Sequence, residues 1–287
     1  MKSNLCKSGE FLGAISEYKD AVAVIYGAPM DFTVSFRPGT RFGPEKIRNV
    51  SVSLESYSPY RDKYLDDIKF YDAGDLVLPF GNVEKGLQMI YETTEELHEN
   101  NKFPIMLGGE HLVSLPAIQA THKHFKNLKV IHLDAHTDLR EVHGGEINTH
   151  ATVIRKVADL IGGSNVFQLG IRSGDREEFI YGRENTNFYF DQVVEPLDEV
   201  VRKCGTDPVY ITLDIDVLEP AFAPGTGTPE PGGCSVRDLL YAFEKFSKLN
   251  VIGFDLVEVC PPYDHAEITS VTAAKLVREA ILGFVKK

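Results

Sequence analysis

Asp134-Ala135-His136-Thr137-Asp138 and Asp214-Ile215-Asp216 each close an apolar run, Val130–Leu133 in the first case and Val209–Leu213 in the second. Side chains along a β-strand alternate between faces. A strand that continued through these segments would therefore present Asp134, His136 and Asp138 on one side, and Asp214 with Asp216 on one side. Four carboxylates and an imidazole so placed would repel one another without a cation. A third apolar run, 103–107 (FPIML), is closed by Gly108-Gly109-Glu110-His111. The two glycines permit a tight turn and close backbone approach, which brings His111 to the same place. His111, Asp134, His136, Asp138, Asp214 and Asp216 thus form an oxygen-rich donor set without thiolate, which favours Mn²⁺ over a cysteine-type structural zinc. Six side chains exceed what one catalytic metal needs, so two metals sharing aspartates are expected. Metals about 3.5–4 Å apart lower the pKa of bound water towards ~7. His132, inside the strand, reads as structural, and His122, His124 and His143 as surface groups.

These residues need a scaffold that ends several strands at one place. Candidate strands are 21–26, 68–72, 103–107, 128–133, 165–170, 186–190, 208–213 and 250–255. Several are continuously apolar, as in sheets covered on both faces. Helical patterns fall between them at 44–55, 83–99, 113–125, 150–161, 194–203, 235–248 and 267–285. In the segment 235–248, Ser235 is placed to cap, with Asp238 three positions on. The alternation predicts a mainly parallel α/β sheet with right-handed crossovers. In an open sheet of this kind, functional groups collect at the carboxyl ends of the strands. A barrel would collect them there too, so the pattern leaves both open. No linker or repeat divides the chain, and residues 1–287 read as a single domain.

Acidic residues outnumber basic ones 42 to 30, a net charge of −12. That balance speaks against a general nucleic-acid or anionic-membrane surface and suits a small cationic substrate. Hydrophobic residues, at 43%, suffice for a sizeable core. Cys6, Cys204, Cys234 and Cys260 are scattered without a C-x-x-C pair, as in a reduced, intracellular protein. Cys260 reads as a small buried thiol rather than a nucleophile. No signal peptide and no transmembrane-length apolar run is visible, so a cytoplasmic location is expected.

The motifs, in order, are Gly108-Gly109-Glu110-His111, Asp134–Asp138, His150, Asp214-Ile215-Asp216 followed by Ala223–Pro229, and Asp255-Leu256-Val257-Glu258. Together they resemble the ureohydrolase (arginase/agmatinase) family over nearly the whole chain. The resemblance implies a three-layer α/β/α sandwich around a mostly parallel eight-stranded sheet, and a homo-oligomer, trimeric or hexameric. It implies that His111 and Asp138 hold one Mn²⁺, His136 and Asp216 the other, and that Asp134 and Asp214 bridge the pair. A bridging hydroxide would attack the guanidinium carbon and yield urea and an amine. Glu258 would orient the guanidinium, Asp138 would relay a proton, His150 would shuttle it, and Thr228 would shape the pocket. On residue chemistry alone, His150 could instead cap a helix, and Glu258 could be a surface carboxylate. One departure is Glu219-Pro220, where the family's pattern has Asp-Pro.

Arginine as substrate would require donors for its α-carboxylate, and the loop Leu139–His150 lacks the Asn- and Ser-rich pattern of the arginases. With Gly170–Glu178, it is similar to bacterial agmatinases. Agmatine ends in an ammonium, for which Asp175 and Glu178, with Glu141 and Glu146, are candidate partners. Arg140 could meet a substrate carboxylate, as for guanidinobutyrate, or pair with a neighbouring Glu. The alternatives are another amidinohydrolase (guanidinobutyrase, arginase or guanidine hydrolase), a single-zinc deacetylase-like enzyme, or a non-catalytic metal-binding relative.

Overall fold

Apolar residues on both sides of each strand demand two covering layers, and the structure supplies them. It is a computed structural model that describes residues 4–7, 9–15 and 17–286. Its strands are β1 (Leu5–Cys6), β2 (Ala23–Ala28), β3 (Tyr57–Ser58), β4 (Lys63–Tyr64), β5 (Phe70–Leu76), β6 (Phe103–Gly108), β7 (Lys129–Leu133), β8 (Val166–Ile171), β9 (Asn187–Phe190), β10 (Pro208–Asp214) and β11 (Asn250–Val257). The helices are α1 (Gly43–Ser51), α2 (Val83–Glu99), α3 (Ser114–His124), α4 (Val153–Ile161), α5 (Arg176–Asn185), α6 (Leu197–Cys204), α7 (Val236–Phe246) and α8 (Ile268–Phe284).

All eight strands read from the sequence are present, in a sheet of order β1-β5-β2-β6-β11-β10-β7-β8-β9. Every pairing is parallel except that of β1, which runs antiparallel along β5 as a ninth strand. Two residues carry no readable period, so β1 and the small β3–β4 pairing had no sequence signal. Strand β2 shows how the layers arise. Ala23 and Ile25 pack in one cluster with residues of α1, α6, α7 and α8, including Ile47, Leu197, Phe243 and Ile281. Val24 and Tyr26 pack in the other with Ile90, Ile118 and Val157 of α2, α3 and α4. The three-layer α/β/α sandwich follows from this alternation.

Helix α5 is the one helix the pattern did not reveal. Its sequence, REEFIYGREN, buries only Glu178 and Gly182, so no apolar stripe marks it. Helix α7 begins as expected, with Ser235 N donating to Asp238 Oδ2 at 2.9 Å and Asp238 N donating back to Ser235 Oγ. In the same layer the buried Arg48 of α1 donates to Asp72 at 2.8 Å and to Asp75 at 2.5 Å, which pins α1 to β5.

The topology decides where the site lies. The chain leaves β6, reaches β7 with two strand places between, and later fills the gap with β10 and β11. The carboxyl ends of β6, β11, β10 and β7 therefore sit side by side, and each ends in one of the acidic motifs.

Candidate active site

The strand alternation that first grouped the ligands does not extend through them. Strand β7 stops at Leu133, and Asp138 adopts a left-handed backbone with φ 51°. Likewise Asp216 belongs to a 3₁₀ turn, Ile215–Val217, beyond β10. Backbone hydrogen bonds from loops do the positioning instead. The carbonyl of Ala135 accepts from Arg172 N and Ser173 N, and Thr137 N donates to Ser173 O, which ties the Asp134–Asp138 loop to the end of β8. Asp138 O accepts from Ile154 N and Arg155 N, so its turned backbone caps the start of α4. At β6 the chain must turn hard against Met30. A Cβ on Gly109 would lie 2.0 Å from Met30 O, so only glycine permits the approach.

These turns bring all six expected ligands together. His111 Nδ1 lies 3.0 Å from Asp134 Oδ2, 3.2 Å from Asp138 Oδ2 and 3.4 Å from Asp214 Oδ2. His136 Nδ1 lies 2.9 Å from Asp216 Oδ2 and 3.5 Å from Asp134 Oδ1. Asp134 thus turns one oxygen towards each imidazole.

The donor set fits divalent cations on several grounds. His111 Nδ1 and Asp216 Oδ2 are buried and have no hydrogen-bond partner. His111 is also held in the tautomer a ligand needs. Thr212 Oγ1 donates to Asp255 Oδ1 at 2.7 Å, so it accepts from His111 Nε2–H at 2.9 Å and leaves the Nδ1 lone pair facing the aspartates. Protonation behaviour points the same way. Burial and the neighbouring Asp216 and Asp134 push the Asp214 carboxyl well up. Burial opposes charge on His111, yet the carboxylates of Asp134, Asp138 and Asp214 gathered around Nδ1 raise it well above its ordinary value. A proton there occupies the place a cation would take.

His132 is close enough to be mistaken for a ligand, since its donor atom groups with those of His111, Asp134 and Asp138 within 4.8 Å. Its hydrogen bonds argue otherwise. Gln168 Nε2 donates to Thr137 O and faces His132 Nδ1 at 3.2 Å, so His132 accepts there and donates from Nε2 to Asp134 Oδ2 at 2.8 Å. It aims the carboxylate, in keeping with the structural role read from the sequence.

Above this cluster opens a cavity of about 250 Å³, lined by Glu258, His150, Thr228, Asp138, Arg140 and His143 among others. Glu258 stands just past β11 with φ 65°. One carboxylate oxygen accepts from His111 N at 2.8 Å, and burial pushes the group up to about 8. The imidazole of His150 is held below its ordinary value by burial, with Asp138 opposing and His143 adding to the effect.

Residues 21–283 match the arginase family. The chain belongs to the arginase family. The agmatinase of Bacillus cereus is 53% identical to it over 279 residues, 96% of each chain. The guanidinobutyrase of Pseudomonas aeruginosa is 34% identical over 271 residues, 90% of this chain and 85% of that one. The crystal structure of the agmatine ureohydrolase of Thermoplasma volcanium superposes with a TM-score of 0.88 at 33% identity, covering 97% of this chain and 95% of that one.

Within this arginase-family site, the expectations for the substrate's tail need correction. Glu178 is buried and already accepts from Thr137 Oγ1 at 2.6 Å, Leu139 N at 3.2 Å, Arg140 Nε at 3.2 Å and Asp175 N at 2.7 Å. It braces the cavity wall and has no capacity left over for an ammonium. Asp175 is exposed at the start of α5, 3.4 Å from Arg140. Glu141 pairs with Arg155 at 2.7 Å. His143 is not a surface group. Its Nδ1 accepts from Arg140 Nη1 at 3.0 Å, and its ring stands edge-on to that of His150, centroids 5.4 Å apart. Spacing along the chain could not show this, because the loop 139–149 folds back on itself. Thr33, which contacts His150, and Glu110, which binds Thr33, were also missed; they meet only through the tertiary fold.

Proposed function

We propose that this chain is an agmatinase, a hydrolase that cleaves agmatine to urea and putrescine, and so serves putrescine and polyamine biosynthesis. The observation that carries the reading is Asp134 set between His111 and His136, with Glu258 bound to His111 N. His111, Asp134, His136, Asp138, Asp214 and Asp216 are the residues that would hold a pair of Mn²⁺ ions. When bound, such a pair supplies Lewis acidity that lowers the pKa of water towards ~7.

The protein's own groups do the rest. Glu258 uses one oxygen to hold His111 N, which leaves the other for a guanidinium N–H. A cationic guanidinium at that oxygen favours the carboxylate form that burial otherwise discourages. Asp138, beside His111, takes up the proton released as water adds to the guanidinium carbon. The C–N bond to the alkyl chain then breaks, and the leaving nitrogen must gain that proton to depart as an amine. His150, at the cavity wall, takes that proton from Asp138 and delivers it to the leaving nitrogen. Thr228 shapes the wall opposite.

The choice of agmatine over a guanidino acid rests on Arg140. Its guanidinium is engaged by Glu178, Asp175 and His143, whose two carboxylates already compensate its charge and so disfavour a further, substrate carboxylate. The 53% identity to the Bacillus cereus agmatinase supports the same choice. We further assign the activity to one domain, residues 1–287, of a cytoplasmic homo-oligomer, trimeric or hexameric. In support of that location, all four cysteines are free thiols, and no described helix is long and apolar enough to cross a membrane.

Urea release from agmatine, arginine, 4-guanidinobutyrate and guanidine, each with Mn²⁺ added, tests the reading. Agmatine should be turned over at least about 100-fold better in kcat/KM than the others, a gap of roughly 2.7 kcal/mol in transition-state binding. Turnover of another member without urea from agmatine would overturn it.

A further inference from the structure

The Gly109–His111 segment touches the site in two directions. His111 N binds Glu258, and Glu258 N returns a bond to Gly109 O at 2.8 Å. Between them, Glu110 points away from the aspartate cluster and is fully buried. Its Oε1 accepts from Phe32 N at 2.8 Å and Thr33 N at 3.1 Å, and its Oε2 accepts from the Thr33 hydroxyl. A hydroxyl has one proton, and here Glu110 takes it. Towards any other partner Thr33 Oγ1 can only accept. Its other partner is His150, whose backbone N–H lies 3.1 Å away and whose Nδ1 lies 3.5 Å away. The opposite ring atom, Nε2, faces the cavity 3.4 Å from Ser35 Oγ.

We propose that Thr33, braced by Glu110, is a positioning residue that holds His150 at the cavity wall with its proton on Nδ1 and its Nε2 lone pair towards the substrate. The inference rests on the reading of His150 as the group that passes a proton to the leaving nitrogen. Thr33 touches no reacting atom. It acts by accepting from His150 twice, once from the main chain and once, at longer range, from the ring. Without that hydroxyl the imidazole is free to take the other tautomer, in which Nε2 carries the hydrogen and cannot accept one. Proton transfer needs a lone pair within hydrogen-bond reach, and misplacement by about 1 Å is worth on the order of 100-fold.

The test uses the Mn²⁺-loaded full chain and four variants: Thr33→Val, Thr33→Ser, His150→Asn and Thr33→Val with His150→Asn. Thr33→Val keeps the shape and removes the acceptor; Thr33→Ala takes its place where the valine variant does not fold. We expect Thr33→Val to lower kcat roughly 10- to 100-fold with KM changed by less than about 2-fold. Thr33→Ser should restore most of the rate, because it restores the acceptor. The double variant should be no slower than His150→Asn alone, since Thr33 then has nothing to position. Serine as poor as valine, or losses that multiply in the double variant, would overturn the inference while leaving the shuttle reading intact. A His150→Asn variant with the full rate would overturn the shuttle reading and the inference with it.

Discussion

Asp134 concentrates the physics of the site in one side chain. It is completely buried, and its carboxylate faces His111, His132 and His136 and accepts from His136 N at 2.5 Å. Burial alone would raise its pKa, but His132 and the neighbouring His111 and His136 hold it well below the ordinary range. It is therefore anionic and aimed, which suits the role of metal ligand proposed for it. His132 does the aiming. Substituting His132→Phe keeps an apolar ring in the strand and deletes the donor to Oδ2. Lost partners behind a ligand typically weaken metal binding by about 10- to 100-fold. A competition titration against a chelator should record that loss, whereas unchanged affinity would mean that the histidine only fills space. At this scale the sequence was informative about ligand types and silent about their supports. His132, Gln168, Thr212 and Asp255 act through cross-strand contacts that no spacing along the chain reveals.

Legibility at the level of elements followed burial. Strands covered on both faces are continuous apolar runs, and helix α2 carries its apolar face at regular intervals, so both were readable. Helix α5 packs through one carboxylate and a glycine, which a loop reading could not foresee, and Glu178, expected to meet a substrate tail, is taken up by the protein's own donors. Helices α2 and α3 are joined by a further polar contact that makes a pH prediction. His98 Nε2 meets Thr121 Oγ1 at 2.9 Å, and Thr121 Oγ1 donates to Ala117 O, so His98 donates from Nε2. Burial, with His124 nearby, lowers its pKa from 6.5 to about 4. The unfolded chain therefore binds a proton on this residue between those values while the folded chain does not, and stability falls as pH drops from about 6.5 to about 4. The loss attributable to His98 should reach about 2–3 kcal/mol. Denaturant unfolding of the wild type and of His98→Gln across this window checks it: the difference in stability between the two should change with pH by that amount, and a constant difference would rule the mechanism out.

For the whole molecule, the site is a seam between the two halves of the sheet. His111 comes from the β6 side, Asp134, His136 and Asp138 follow β7, and Asp214 and Asp216 follow β10 between them. Cations held by all three should stabilise the folded chain, because the unfolded chain cannot assemble the same donors. At about 100 times the dissociation constant, each metal adds roughly 2.7 kcal/mol. Melting in the presence of Mn²⁺ and after exhaustive chelation should thus differ by several degrees, and Asp134→Ala should shrink most of that difference. A melting temperature indifferent to metal would contradict the assigned ligands.

The sequence by itself determined the class of chemistry. Carboxylates and imidazoles at the ends of buried strands cannot stay together without a cation, whatever the fold, and the order of the motifs identified the family. It also determined most of the sheet, because burial on two faces imposes an unbroken apolar pattern. Which groups remain free to act was decided only by tertiary structure. Arg140, Glu178 and His143 look equally available along the chain, yet the folding back of one loop pairs them with one another and leaves Glu258 and His150 facing the cavity. A hydrogen bond has few sites to give, and only the packed structure shows which are already taken.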